Sequence, residues 1–398
     1  MESDVLILPP KDIARLAQAV ASRASGKPVR IALLRDAESR KAMGPMPIFP
    51  GIEILAFDLD TDGAFADFDI STQSARIAAE MEAGVQAFLA ANRPDVVVEA
   101  TGRALTGAMV CQAALESGYP VVSLNPRTDL AVGHYLRHLA HEKGLRYVFW
   151  QPDSVRAALD LKEALEASGL EIVSLGATLP ASGAGEQPLS DADISAVMIE
   201  MACLANATGI SLDRPGMNGQ HCRPEELAGF YRPLEEGGIF AVPCCVDYAV
   251  LDGLPAGVYA VAKAQETEGK STAYRTHFTP LSSCAHSWLA ALAEVLEDGA
   301  KTPDLAYRPV ADVCAIALRD VKPGERLAGA GAADYRGIAM RVDEIRWRES
   351  IPIGLLEGAM AKQIIEPDEP IVLENCVIDH TSRLYALRGL QEKLRLAS

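Results

Sequence analysis

Eight residues constrain the fold of this chain more than any other stretch: Asp95-Val-Val-Val-Glu-Ala-Thr-Gly102. A polar turn, Asn92-Arg93-Pro94, precedes them. Residues of buried-strand character come first, then a carboxylate, a hydroxyl and a glycine. In a doubly wound sheet, ligands lie at the carboxyl ends of parallel strands. The segment Glu99-Ala-Thr-Gly102 therefore places polar groups where a ligand would sit.

The flanking pattern repeats strand, helix, strand. Pro10–Ser25 predicts a surface helix with Ile13, Leu16, Ala17, Val20 and Ala21 on one stripe, and Ile31–Leu34 a first strand. Glu53–Phe57 predicts a second strand, ending in Asp58. Ser71 or Thr72 caps a helix that turns Ile77, Met81, Val85, Phe88 and Leu89 inward. Beyond the anchor strand come a helix over Leu105–Ser117, a strand over Pro120–Leu124, a helix opened by Asp129, and a strand over Leu145–Trp150. A helix over Asp153–Ser168 and a last strand over Leu170–Leu175 follow. Gly118, Gly144 and Gly169 are helix stop signals. This alternation predicts a parallel sheet with right-handed crossovers.

The character then changes. Gly176–Ser190 reads as a Gly/Pro/Ser/Ala-rich loop, and Asp193–Ala205 as a helix with Val197, Ile199, Met201 and Leu204 on its apolar face. Gly238–Val242, Tyr248–Leu251 and Gly257–Ala262 alternate like antiparallel strands, and Thr279–Leu296 holds another helix. From Tyr307 onward come Val310–Leu318, the turn Lys322-Pro-Gly-Glu325 and further short segments, then a terminal helix over Thr381–Leu396. The 398 residues exceed one ordinary core. The expected fold class is α/β: a Rossmann-like domain over 1–178, an α+β middle domain over 179–305, and a small all-β domain over 306–398.

A formal net charge of −17 argues against nucleic acid and anionic membranes as partners. No apolar run is long enough to span a bilayer, and the start lacks the positive region of a signal peptide. The expectation is a cytoplasmic protein whose eight cysteines are reduced; none forms a Cys-x-x-Cys pair.

A dinucleotide fold should carry G-x-G-x-x-G after its first strand. Here Arg35, Ala37 and Arg40 fill the three glycine positions. Arg35, Arg40 and Lys41 form a basic cluster where phosphate would sit; a solvated helix start is the competing reading. Asp58 stands where a ribose hydroxyl would be held, or is a plain acid in a loop with Asp60, Asp62, Asp67 and Asp69. His221-Cys222, Cys244-Cys245, His277, Cys284 and His286 are soft ligands, but their spacing matches no zinc template. Cys222 or Cys245 as a nucleophile competes with an inert buried thiol. Asp247 and Asp252 read as a hard-cation pair or as turn acids. No metal ligand is assigned.

The ordered set Asp95–Gly102, Val121-Val-Ser-Leu-Asn125 with Asp129 and Gly133, Ile199–Gly209, Gly257-Val-Tyr-Ala-Val261 and Ala317–Glu325 carries a resemblance. The chain resembles the homoserine-dehydrogenase-like oxidoreductases with a C-terminal SAF (β-clip) domain, in the branch of 1-deoxy-D-xylulose-5-phosphate reductoisomerase-like enzymes. The resemblance implies NAD or NADP as cofactor, a small hydroxylated or phosphorylated substrate, and a homodimer. It puts Glu99, Thr101 and Gly102 beside the cofactor and Asn125 at the nicotinamide end. The chain departs from the branch at two lysines: Gly176-Ala-Thr178 and Asp193-Ile-Ser-Ala196 stand where they would be. The candidate catalytic residues are Glu99, Asn125 and Asp193. The candidate cofactor contacts are Arg35, Arg40, Asp58, Thr101, Gly102 and Asn125. A non-redox isomerase, lyase or dehydratase, or a ligand-binding protein without catalysis, are the competing readings.

Overall fold

A computed structural model describes residues 10–23, 27–43, 49–59, 75–181, 189–263, 273–282, 287–297, 309–328 and 334–397. The chain forms two compact units. One comprises Met1–Trp150, Cys284–Tyr307 and Asp379–Ser398; the other comprises Gln151–Ser283 and Arg308–Ile378.

The first unit is built on a five-stranded, wholly parallel sheet. Its strands are β1 (Val29–Arg35), β2 (Ile52–Asp58), β3 (Val96–Ala100), β4 (Val121–Ser123) and β5 (Tyr147–Phe149), in the order β2-β1-β3-β4-β5. The intervening helices are α1 (Pro10–Arg23), α2 (Ala37–Met43), α3 (Ala75–Asn92), α4 (Ala104–Glu116) and α5 (Pro126–Glu142). The chain leaves β1 on one side for β2 and returns on the other side for β3, so the switch point lies between β1 and β3.

The anchor stretch behaves as its composition requires. All five residues of β3 are buried, because helices cover both faces of the sheet. Val96 and Val98 join Ile31, Leu33 and Val122 in an apolar cluster with Leu16 and Val20 of α1. The stripe of α1 is therefore Leu16, Ala19 and Val20, while Ile13 and Ala17 face solvent. The same cluster takes in Leu289, Leu292 and Leu296, which belong to a helix remote in sequence. On α3, Met81, Val85 and Leu89 are buried as expected, and Phe88 stacks on Phe57. Ser71 and Thr72 lie outside the described residues.

The second unit begins with α6 (Asp153–Ala167) and contains β6 (Glu171–Pro180), α7 (Asp191–Thr208), β7 (Gln220–Cys222), α8 (Leu227–Phe230), β8 (Cys245–Leu251), β9 (Gly257–Lys263) and β10 (Tyr274–Pro280). Its sheet has the order β10-β9-β6-β8-β7 and is mixed: β6 runs parallel to β8 and antiparallel to β9. Three expectations are corrected here. The run after Leu170 belongs to this sheet, not to the parallel one, and it continues as strand through Gly176–Pro180, which read as loop. Gly176 is a close-approach glycine, not a loop signal: a Cβ there would lie 1.6 Å from the Asp247 carbonyl oxygen on the neighbouring strand. Residues 238–242 form a turn-rich segment with one isolated bridge, Pro233 to Phe240, instead of a strand.

Helix α7 is apolar on almost every side, as a helix enclosed in a core must be. It packs on β6 and β8 and also on the strands β11 (Ala311–Ala317) and β12 (Tyr335–Arg341), which pair antiparallel. Its Asn206 extends the β11 backbone pattern, with Oδ1 accepting from the Val310 and Ala311 amides and Nδ2 donating to the Ala311 carbonyl. The short strands β13 (Met360–Ala361) and β14 (Cys376–Val377) and the helix α10 (Val342–Trp347) complete this β-rich part.

Two later helices return to the first unit. They are α9 (Leu289–Leu296) and α11 (Arg383–Ala397). Helix α9 packs on α1, β4 and β5, and α11 packs on α4 and α5. Buried Gln391 fixes α11, its amide nitrogen donating to the Ala131 carbonyl and its oxygen accepting from the Tyr135 amide.

Candidate functional site

The carboxyl edge of the parallel sheet presents three loops. The first follows β1. Asp36 caps α2 through Oδ1, which accepts from the Ser39 amide at 2.9 Å. Its other oxygen, Oδ2, crosses the switch point and accepts from the Gly102 amide at 2.6 Å. A Cβ on Gly102 would lie 3.4 Å from Asp36 Oδ2 and 3.6 Å from Glu38 Oε2. Two carboxylates thus face the backbone at the end of β3.

Arg35 and Arg40 both engage Asp58. Arg35 Nε donates to Asp58 Oδ1 at 2.6 Å, and Arg40 Nη1 donates to Asp58 Oδ2 at 2.9 Å. Burial alone would raise the Asp58 carboxyl, but hydrogen bonds and charge from the two guanidiniums outweigh it and hold the group below its usual range. The three residues form one clasp across the ends of β1 and β2. Asp58 and the two arginines, each read from the sequence either as a ligand contact or as a plain surface charge, pair with one another.

The second loop follows β3. Alternation along β3 sends Glu99 to the face covered by α4 and α5, where no solvent reaches it. Its Oε1 accepts from the Thr101 amide at 2.8 Å and the Thr101 hydroxyl at 2.5 Å; Oε2 accepts from the Ser123 hydroxyl at 2.6 Å. The Cys111 thiol stands 3.9 Å from Oε2. Burial raises the Glu99 carboxyl above its ordinary range, with the hydroxyl and amide donors working in the opposite direction. Burial and the adjacent Glu99 charge push the Cys111 thiol well above its usual range.

The third loop follows β4. The helix begins at Pro126, not at Asp129, because Asn125 is its cap: Oδ1 accepts from the Arg127 and Thr128 amides. Asn followed by Pro at the first helical position is the sequence signal for this start. Asn125 Nδ2 donates to Thr101 Oγ1 at 3.3 Å and to the Arg103 carbonyl at 3.1 Å. Arg127 donates to the Gly102 carbonyl. Deeper on α5, Asp129 pairs with Arg137 and accepts from the Tyr147 hydroxyl.

Gly107 of α4 permits this assembly. A Cβ there would stand 2.0 Å from Thr128 Oγ1, 2.8 Å from Glu99 Oε1 and 2.9 Å from Asn125 Nδ2. Glu99, Thr101 and Asn125 therefore do come together, with Gly102 beside them. They come together as an enclosed scaffold, in which the side chains of Glu99 and Asn125 are fully engaged. Glu99 and Asn125 shape the loops at the carboxyl edge of the sheet from within the core.

Asp193 belongs to the second unit and has a different task. Its carboxylate forms the capping box of α7 with Ser190, accepting from the Ser190 amide and hydroxyl. Those bonds hold its carboxyl below the usual range.

A second buried carboxylate, Asp247, read from the sequence either as half of a hard-cation pair or as a turn acid, lies on β8. It is fully enclosed and accepts from the Asn218, Gly219 and Tyr248 amides and from Asn218 Nδ2. The loop it holds contains left-handed backbone at Gly216, Met217 and Gly219. Successive amides in such a loop form a concave anion receptor, here filled by the protein's own carboxylate. Burial raises the Asp247 carboxyl, against the lowering effect of these donors. Asp252 instead is exposed and pairs with His221 at 2.9 Å. Among the described residues, no three His, Cys, Asp or Glu side chains gather as a metal site. Cys222 and Cys244 are pushed up to about 11 by burial, and Cys245 higher still. Cys284 and His286 lie outside the described residues.

Residues 189–283 match the family model of the oxidoreductase DRL catalytic domain. The match spans under a quarter of the chain and includes Asp247 and its loop. No curated protein sequence matches the chain. Among solved structures, the chain is similar to biliverdin reductase from Synechocystis in complex with biliverdin and NADP+, at 13% identity over 71% of this chain and 95% of that one, with a TM-score of 0.38. It is similar to dipicolinate-bound dihydrodipicolinate reductase from Paenisporosarcina, at 13% identity over 68% and 93%, with a TM-score of 0.37. It is similar to levoglucosan dehydrogenase in complex with NADH and levoglucosan, at 14% identity over 70% and 93%, with a TM-score of 0.36.

Proposed function

We propose that the chain is an NAD(P)-dependent oxidoreductase acting on a small hydroxylated or phosphorylated carbon substrate, with an altered phosphate-binding loop. The observation that carries this reading is the oxidoreductase catalytic-domain match over residues 189–283. Support comes from the parallel sheet of the first unit, whose switch point between β1 and β3 is the place where such sheets take a nucleotide. In this reading Thr101 and Gly102 stand at the cofactor edge, positioned from behind by Glu99 and Asn125. Membership of the reductoisomerase-like branch, a β-clip role for the part around β11–β14, a cytoplasmic location and a homodimer belong to the same reading.

The test is thermal unfolding and fluorescence titration with NAD, NADP, NADH and NADPH. A rise in melting temperature with one nucleotide pair, followed by nucleotide-dependent turnover of a sugar phosphate or sugar acid, supports the reading. No shift with any of the four at millimolar concentration sinks it.

One observation favours a non-redox isomerase, lyase or dehydratase on this scaffold: at the β1/β3 switch point the Asp36 carboxylate already takes the Gly102 amide, a donor that a diphosphate could otherwise use. That reading expects turnover of sugar acids without added nucleotide.

A further inference from the structure

The crevice at β1/β3 does not fit a dinucleotide diphosphate while Asp36 holds its present position. The Gly102 amide, at the end of β3, already donates to Asp36 Oδ2 at 2.6 Å. The Glu38 carboxylate lies on the same side, 3.6 Å from where a Gly102 Cβ would be. An incoming diphosphate would meet two negative groups and an amide already engaged. The arginines that offset them in sequence, Arg35 and Arg40, are turned to Asp58.

We infer that Asp36 is an internal competitor for the cofactor's diphosphate: its carboxylate occupies the Gly102 amide, and nucleotide binding requires it to leave. The inference rests on the oxidoreductase reading and adds a specificity-determining residue to it. Anions and backbone amides at a sheet's carboxyl edge attract each other, so a built-in carboxylate satisfies the edge in the absence of ligand. It also sets a threshold. Only a ligand that repays the displaced bond, and tolerates or displaces Glu38, can enter.

The decisive comparison uses the full chain with Asp36→Ala, Asp36→Ser and Glu38→Ala, titrated with NADH and NADPH by fluorescence and calorimetry. Serine retains a cap for α2 but brings neither the charge nor the second oxygen that reaches Gly102, so it guards against simple unfolding of the helix start. Both Asp36 variants are expected to bind the preferred nucleotide about tenfold more tightly than the natural chain, as loss of one charge-assisted competing bond implies. Glu38→Ala is expected to change affinity by less than about threefold, because a nearby charge without that bond is partly screened.

If the natural chain binds nucleotide and both Asp36 variants bind equally or more weakly, the competitor role is overturned and the oxidoreductase reading stands. If the natural chain fails to bind and the Asp36 variants bind, the competitor role holds and cofactor use by the natural chain falls. Binding by none of the proteins overturns both. An effect of Glu38→Ala equal to that of Asp36→Ala reduces the finding to bulk charge and overturns the specific role.

Discussion

The Ser123 hydroxyl on β4 donates to the Glu99 carboxylate on β3 at 2.6 Å, between two residues that are direct partners in the parallel register. A carboxylate in the middle of a sheet core is costly unless its oxygens are satisfied. Ser123 and Thr101 satisfy them, and Thr101 passes the order on to Asn125. The ordering of the sheet's carboxyl edge thus originates behind it, in the core.

Glu99→Gln tests this through pH. Burial raises the folded-state value of Glu99, so its contribution is fully present below the unfolded value of about 4.3. That contribution is lost as pH rises through the folded value. Urea unfolding at a series of pH values should show the natural chain's advantage over Glu99→Gln shrinking from acid toward neutral. A difference independent of pH would show that burial does not perturb this carboxyl.

Asp58→Asn has the opposite sign. The two arginines hold Asp58 below its usual range. Its contribution is therefore present above the unfolded value of about 3.9 and lost as pH falls through the lower folded value. The variant should be less stable by about 1–2 kcal/mol at neutral pH, and the gap should close below about pH 4. A gap that persists unchanged at pH 3 would contradict the clasp.

Gly107→Ala should destabilise the first unit by at least about 2 kcal/mol, since the added methyl meets Thr128, Glu99 and Asn125 at 2.0–2.9 Å. Adding Thr128→Ala removes the nearest of these atoms and should recover part of the loss. Strict additivity of the two changes would mean that the contact is not the cause.

Asp247→Asn places an amide nitrogen among the donors of Asn218, Gly219 and Tyr248. The cost should be about 2–3 kcal/mol. Limited proteolysis should gain a cut in the loop Pro215–Gly219. Unchanged stability with no new cut would mean that the loop does not depend on this carboxylate.

The parallel sheet was legible because its apolar runs and glycine stops repeat with one period, and β3 announced itself by three valines between polar turns. The place of Glu99, Thr101 and Gly102 at a strand end was legible from the residues, whereas Asn125 was put beside them only by the family resemblance. What was hidden depends on partners far away in sequence. Ser123 and Gly107 acquire meaning only beside Glu99, and Gly176 only beside the Asp247 backbone. Asp36 was visible only as a residue between missing glycines, although Asp36-Ala-Glu-Ser39 is itself a cap pattern for the short helix that follows. The cap of α7 is hidden in a related way: the Asp193 carboxylate shows its donors, the Ser190 amide and hydroxyl, only in the folded chain.

The return of α9 and α11 to the first unit has a consequence for synthesis. The sheet strands leave the ribosome early, but α9, which packs on α1, β4 and β5, is translated roughly 140 residues after β5. At about 5–20 residues per second, that leaves an apolar sheet face partly bare for about 7–28 s. The nascent chain therefore carries an exposed, strand-rich surface through the whole translation of α6 to β10, an interval in which chaperone capture competes with aggregation.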